Sequence, residues 1–250
     1  MSDLSEVSDG VAPAAPATLA RRLVAEGLGT GLLVAAVVGS GIAAQTLSPH
    51  DTGLELLENA IATGAVLYVL ILVLGPVSGA HLNPVVTAVD AWFGGLARRD
   101  AAPYMAVQVV GACLGAMLAN LMFGLSAVSV STHVRGGSGI LLSEVVATFG
   151  LLLVILGLVR RGRSAYVAGA VAAYIVGAYW FTASTSFANP AVTIGRTLSN
   201  TFAGIAPSSV PGFVVAQCVG GLVALVVALS LWPAPSPGHA VALDVQDETR

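Results

Sequence analysis

The sequence predicts an all-α membrane protein: six spanning helices and two re-entrant half-helices, with the second half inverted relative to the first. Three observations carry this: an extremely apolar composition, the lengths of the apolar runs, and a matched pair of Asn-Pro motifs. Of 250 residues 56% are hydrophobic and 9% charged, with mean hydropathy +0.88. A soluble domain carries about 25% charged residues, so a chain this apolar could not cover itself with polar groups in water. The net charge is −3 and there is no lysine, so the sparse arginines form no basic surface for nucleic acid.

Residues 1–20 are Ser/Ala/Pro-rich and acidic (Asp3, Glu6, Asp9). They lack the basic-then-apolar start of a signal peptide and read as a disordered cytoplasmic tail, as do residues 233–250. Residues 21–232 form the membrane domain. A spanning helix needs about 20 apolar residues, and six stretches qualify, roughly 22–46, 57–76, 103–125, 140–160, 165–182 and 210–232. Two further apolar pieces, about 84–93 and 190–200, have half that length. Each opens with Asn-Pro, at Asn83-Pro84 and Asn189-Pro190. Asparagine as cap and proline at the first helical position start a helix, so both pieces read as re-entrant half-helices. Arg21, Arg22, Arg98, Arg99, Arg160, Arg161 and Arg163 fall on one side, and only Arg135 and Arg196 on the other. Arginine-rich loops stay in the cytoplasm, which places both termini there.

The halves repeat. Glu26 and Thr30 in the first span answer Glu144 and Thr148 in the fourth; Asn83-Pro84-Val85-Val86-Thr87 answers Asn189-Pro190-Ala191-Val192-Thr193; Gln108 and Gly111 answer Gln217 and Gly220. Repeat 1 covers about 21–125 and repeat 2 about 140–232. Each holds three spans, so the second copy enters from the opposite face. Inverted repeats place a solute path at their interface and line it with broken helices. Two half-helices would then meet N-terminus to N-terminus at the midplane, each end carrying about half a positive charge. That arrangement repels cations and protons, while Asn83 and Asn189 offer amide donors.

These residues resemble the aquaporin or major intrinsic protein family. The marks are Ser78-Gly79-Ala80-His81-Leu82-Asn83-Pro84-Val85 and Ser186-Phe187-Ala188-Asn189-Pro190-Ala191, with both repeat glutamates, and the likeness runs from about Arg21 to Trp232. It implies a homotetramer in the lipid bilayer, one pore per subunit, passing small neutral solutes. It also implies pore-lining carbonyls at Gly79, Ala80, His81, Ser184, Thr185 and Ser186, and Glu26, Glu144 and His81 as buttresses of the loops before the half-helices.

The chain departs from the family pattern at the outer constriction. Most members carry arginine three positions after the second motif's asparagine; here Val192 stands there. Arg196 lies four residues further on, about one helical turn deeper, and is expected not to replace it without rearrangement. Counting from the motifs puts Thr63 and Gly177 at two other constriction positions, with Ser186 contributing backbone. The expectation is a wide, arginine-free selectivity filter of Thr63, Gly177, Ser186 and Val192, resembling an arsenic-resistance-associated bacterial branch of aquaglyceroporins. Glycerol-like polyols, uncharged As(OH)3 and water would all suit it. Val85, where alanine is usual, would narrow the midplane slightly. A strict water channel and a non-conducting scaffold are the alternatives.

No nucleophile with a base, paired carboxylates, nucleotide loop or metal-spaced cluster is visible, His50, His133 and His239 included, so no enzyme activity, metal or cofactor is expected. Cys113 and Cys218 sit in apolar stretches and read as buried small hydrophobes. Asp90 is expected to pair with Arg98 or Arg99.

Overall fold

The computed structural model describes residues 17–232, so the tail expectations for residues 1–16 and 233–250 lie outside the described residues. The last residues of the expected N-terminal tail are helical. Helix α1 (Leu19–Leu47) starts at Thr18, whose hydroxyl accepts from the Arg21 amide at 3.4 Å.

The other long helices are α2 (Thr52–Ser78), α4 (Arg98–Met122), α5 (Ser138–Val159), α6 (Val167–Phe181, extended at its start by a 3-10 turn at Ser164–Tyr166) and α8 (Val210–Leu231). With that turn counted into α6 and the 3-10 turn Pro207–Ser209 into α8, all six are long and apolar enough to cross a membrane. Two starts differ from the sequence expectation. Asp51 caps α2 at Thr52, its carboxylate accepting from the Leu54 amide at 2.9 Å. Helix α4 begins at Arg98 rather than at Pro103, which lies inside the helix as its sixth residue and leaves the Arg99 carbonyl without its i→i−4 donor. Large apolar side chains such as Val24, Leu72, Val110, Leu114, Leu222 and Val226 are exposed around the outside, as lipid contact requires.

The half-helices are α3 (Pro84–Phe93) and α7 (Pro190–Gly195). Helix α3 has ten residues and ends at Gly94 in the left-handed region. Helix α7 has six and tightens into a 3-10 turn, Arg196–Leu198, so it is shorter than the 190–200 expected.

The repeats pack as mirrored pairs, α1 with α4 and α5 with α8. Gly27 and Gly31 face Gly111 and Gly115, and a Cβ on Gly31 would stand 3.1 Å from the Gly111 carbonyl oxygen. On the α4 side a Cβ at Gly111 or Gly115 would collide with the Gly27 or Gly31 carbonyl oxygen, so glycine is required there, the small-residue packing that drives helix association in lipid.

Candidate solute pathway

Each half-helix is preceded by an irregular loop at membrane depth. Five non-glycine residues of these loops have positive φ: Ala80, Leu82, Thr185, Ser186 and Ala188. The halves match position for position, with Gly79, Ala80 and Leu82 answering Thr185, Ser186 and Ala188. A left-handed backbone costs an L-residue roughly 1–2 kcal/mol, so something must hold these loops.

Two buried carboxylates do. Glu26, with no exposed surface, accepts from Ser78 Oγ (2.7 Å), the His81 amide (2.9 Å), the Leu82 amide (2.7 Å) and Gln108 Nε2 (2.8 Å). Glu144 accepts from the amides of Phe187 and Ala188 (both 2.9 Å) and from Gln217 Nε2 (2.6 Å). Hydrogen bonds to a charged acceptor contribute about 1.5–3 kcal/mol each, enough to outweigh the strain. Gln108 and Gln217 also donate to Thr87 and Thr193 at 2.9 Å, tying each loop to the half-helix it feeds. Arg22 does not pair with Glu26; it bridges to Asp100 at 2.9 Å.

The two asparagines lock the halves together. Asn83 Nδ2 donates to the Ala188 carbonyl and Asn189 Nδ2 to the Leu82 carbonyl, each at 2.7 Å. Their Oδ1 atoms cap the half-helices, accepting from the amides of Val85 and Ala191 at 3.0 Å. An amide nitrogen carries two hydrogens, so each asparagine keeps one donor beyond its bond to the opposite loop.

A cavity of about 770 Å³ borders both asparagines and extends from Ser164 and Gly95, near the side of the termini, past the two asparagines to Tyr179 and Arg196. Gly79, Ala80, His81 and Leu82 line it from the first loop, and Ser186, Phe187 and Ala188 from the second. Leu67 and Ile71 of α2 and Val171 and Ile175 of α6 give it apolar walls, with the Thr63 and Tyr179 hydroxyls at one end.

Thr63, Ser186 and Val192 border this cavity, but Gly177 does not. Gly177 is exposed on the outer face of α6, and a Cβ there would meet nothing within 4 Å. The cavity face of α6 runs Ala168, Val171, Ile175, Tyr179 at helical spacing, which puts position 177 on the opposite side. Tyr179 is the residue that sequence counting missed; its hydroxyl lies 3.2 Å from Thr63 Oγ1.

Arg196 also corrects the expectation of an arginine-free ring. Four residues on from Val192, it lies on the same helix face, one turn towards the outer mouth rather than deeper. Its guanidinium stands 3.5 Å from the Phe187 ring centroid and borders the cavity. The i, i+4 spacing was the available signal.

Further expectations are revised. Ser184 and Thr185 stand outside the cavity wall: Ser184 Oγ turns back to accept from the Ser186 amide at 3.2 Å, and the Thr185 amide donates to the Thr182 carbonyl at 3.2 Å. Val85 does not narrow the midplane, because it packs away from the cavity with Leu152, Ala224 and Ala228, in space that Gly221 leaves free. Asp90 meets His81 Nε2 at 3.3 Å rather than Arg98 or Arg99. His81 Nδ1 lies 3.2 Å from Thr87 Oγ1, so both ring nitrogens brace the first loop. Pro84, Pro190 and Ala191 are buried behind the asparagines. Cys218 is exposed on the outer surface and Cys113 half-buried. Among the described residues no group of three His, Cys, Asp or Glu could hold a metal.

Two opposed half-helices around a continuous cavity, inside six spans of an inverted repeat, define a membrane channel rather than an enzyme. The chain belongs to the major intrinsic protein family, whose sequence profile matches residues 14–186. It is 56% identical over 214 residues to aquaglyceroporin AqpS of Rhizobium meliloti (strain 1021), covering 86% of this chain and 90% of that one. It is 32% identical over 238 residues to a probable aquaporin AqpM of Archaeoglobus fulgidus, covering 83% and 95%. The X-ray structure of the aquaglyceroporin from Plasmodium falciparum shares the fold, with TM-score 0.65, 23% identity and coverage of 83% of this chain and 94% of that one.

Proposed function

We propose that the chain is a passive channel for small uncharged solutes, passing water, glycerol-like polyols and metalloid hydroxides such as As(OH)3. One observation carries the breadth of this reading: Val192, apolar and short, lines the cavity where a guanidinium would otherwise reach across it. The walls alternate in character. Apolar side chains of α2 and α6 face the loop backbones and the paired asparagines, an amphipathic track suited to a hydroxylated solute. Likeness to a protein named aquaglyceroporin over most of both chains agrees with it.

Both termini lie in the cytoplasm on this reading, which rests on the seven arginines of one side against two on the other. The functional unit is a homotetramer in the bilayer, each subunit with its own path.

Purified protein in proteoliposomes tests the reading. Osmotic shrinkage gives water and glycerol permeability, and arsenite uptake is counted in parallel. All three should exceed protein-free vesicles. Passage of water alone would contradict the wide path, and no flux of any neutral solute from correctly inserted protein would favour a scaffold.

A further inference from the structure

Two arginines near the outer mouth have no carboxylate partner among the described residues. Arg135, from the loop between α4 and α5, donates to the carbonyls of Gly204 (2.9 Å) and Phe202 (3.0 Å), and its guanidinium lies 5.3 Å from the Phe187 ring centroid. Arg196 donates through Nε to the carbonyl between those two, that of Ala203, and stacks on the same ring. Three successive carbonyls and one aromatic ring therefore position both cations.

Their situations differ in what is left over. Arg135 spends two nitrogens on backbone and does not border the cavity. Arg196 is 2% exposed, yet only its Nε has a protein partner among the described residues. Its terminal nitrogens are not among the fully enclosed polar atoms that lack one, and the residue borders the cavity. A guanidinium sealed in protein without a counter-ion costs several kcal/mol, so these nitrogens must be satisfied from the cavity itself. Ser186 Oγ, enclosed and without a protein partner, belongs to a residue that lines the same cavity. The Thr63 and Tyr179 hydroxyls complete a polar set beside apolar Val192.

We infer that Arg196 is the selectivity residue of the outer constriction. The fixed positive charge has moved one helical turn towards the mouth from the position Val192 occupies. There it repels cations and donates to hydroxylated solutes, leaving the level of Val192 wide. This deepens the neutral-solute reading and rests on it. It also separates two tasks, with charge set by Arg196 and width by Val192.

The test uses Arg196→Gln and Arg196→Lys in proteoliposomes, reading collapse of an imposed potassium gradient beside water and glycerol permeability. In Arg196→Gln protein that conducts water, the potassium leak relative to water permeability should rise on the order of tenfold, because a fixed charge is what excludes cations. Arg196→Lys keeps the charge but loses the planar donor array. It should leave the leak at the wild-type level and change the glycerol-to-water ratio by roughly threefold. A water-conducting Arg196→Gln protein without added leak would overturn the assignment. Should that variant not insert, an unchanged glycerol-to-water ratio in Arg196→Lys would overturn it instead. Wild-type protein that conducts water but not glycerol defeats the wide-path proposal while leaving the potassium measurement on Arg196 valid.

Discussion

The two half-helices begin alike and end differently. At the midplane they obey one plan: Asn-Pro start, left-handed residues at matching offsets, a buried glutamate and glutamine behind, and an amide donated to the opposite loop. Away from the midplane the plan diverges. Helix α3 runs ten residues to a glycine cap, with its loop braced by His81 against Asp90 and Thr87. Helix α7 runs six, turns at Arg196 and is braced by two arginines on Phe187. The lesson is that the centre and the mouth of the cavity are built independently. The centre is fixed by repeat symmetry; the mouth is where the halves are free to differ.

Breaking the shared plan should cost most. Glu26→Leu strands the His81 and Leu82 amides and Ser78 Oγ, at about 1–3 kcal/mol for each unsatisfied group. Glu144→Leu strands the Phe187 and Ala188 amides. Both losses are large against a typical stability of about 5–15 kcal/mol. Thermal unfolding in detergent should show both variants strongly destabilised, Glu26→Leu more so. Equal and small shifts in Tm would show that the loops do not depend on these carboxylates.

The helix pairs behind the loops offer a sharper contrast. By the offset between Gln108 and Gln217, Gly115 in the first half answers Ala224 in the second. Alanine is buried without strain at 224, but a Cβ at 115 would collide with the Gly31 carbonyl. Gly115→Ala should therefore destabilise by about 1–3 kcal/mol, an overpacking cost, although its counterpart already carries that side chain. A neutral result would mean that α1 and α4 can separate as far as α5 and α8.

The smallest effect is expected at Gly177. Alanine there meets open space and replaces a glycine inside a helix, which should stabilise by about 0.5–1 kcal/mol and leave water and glycerol flux unchanged. A marked loss of glycerol flux would return position 177 to the path.

The asymmetry also marks what was legible in the sequence. The spans, the half-helices and the repeat follow from apolar run length and from Asn-Pro, signals local to a few residues. The partners of Glu26 and Glu144 were expected from the family resemblance, the repeat adding only that the two glutamates occupy matching places. Gly177 was misplaced because counting back from Asn189 crosses the irregular segment 182–189, where residues do not advance at a helical pitch. The face periodicity of α6 itself, 168–171–175–179, gives the correct side. The Arg196 stack on Phe187 depends on the loop carbonyls at 202–204, whose return towards α7 no local pattern announces. Val85 and Gly221 compensate across 136 positions, a pairing that a single sequence does not reveal.

The central claim is that a neutral-solute path passes the level of Val192 with its width set there. The most direct test is the ratio of glycerol to water permeability in Val192→Arg against wild type, measured on the same vesicles by stopped-flow light scattering. An arginine at that level should lower glycerol flux on the order of tenfold while water falls much less, since a narrowed ring strikes the larger solute first. A ratio unchanged from wild type, in protein shown to be inserted and conducting, would place the constriction elsewhere and contradict the account.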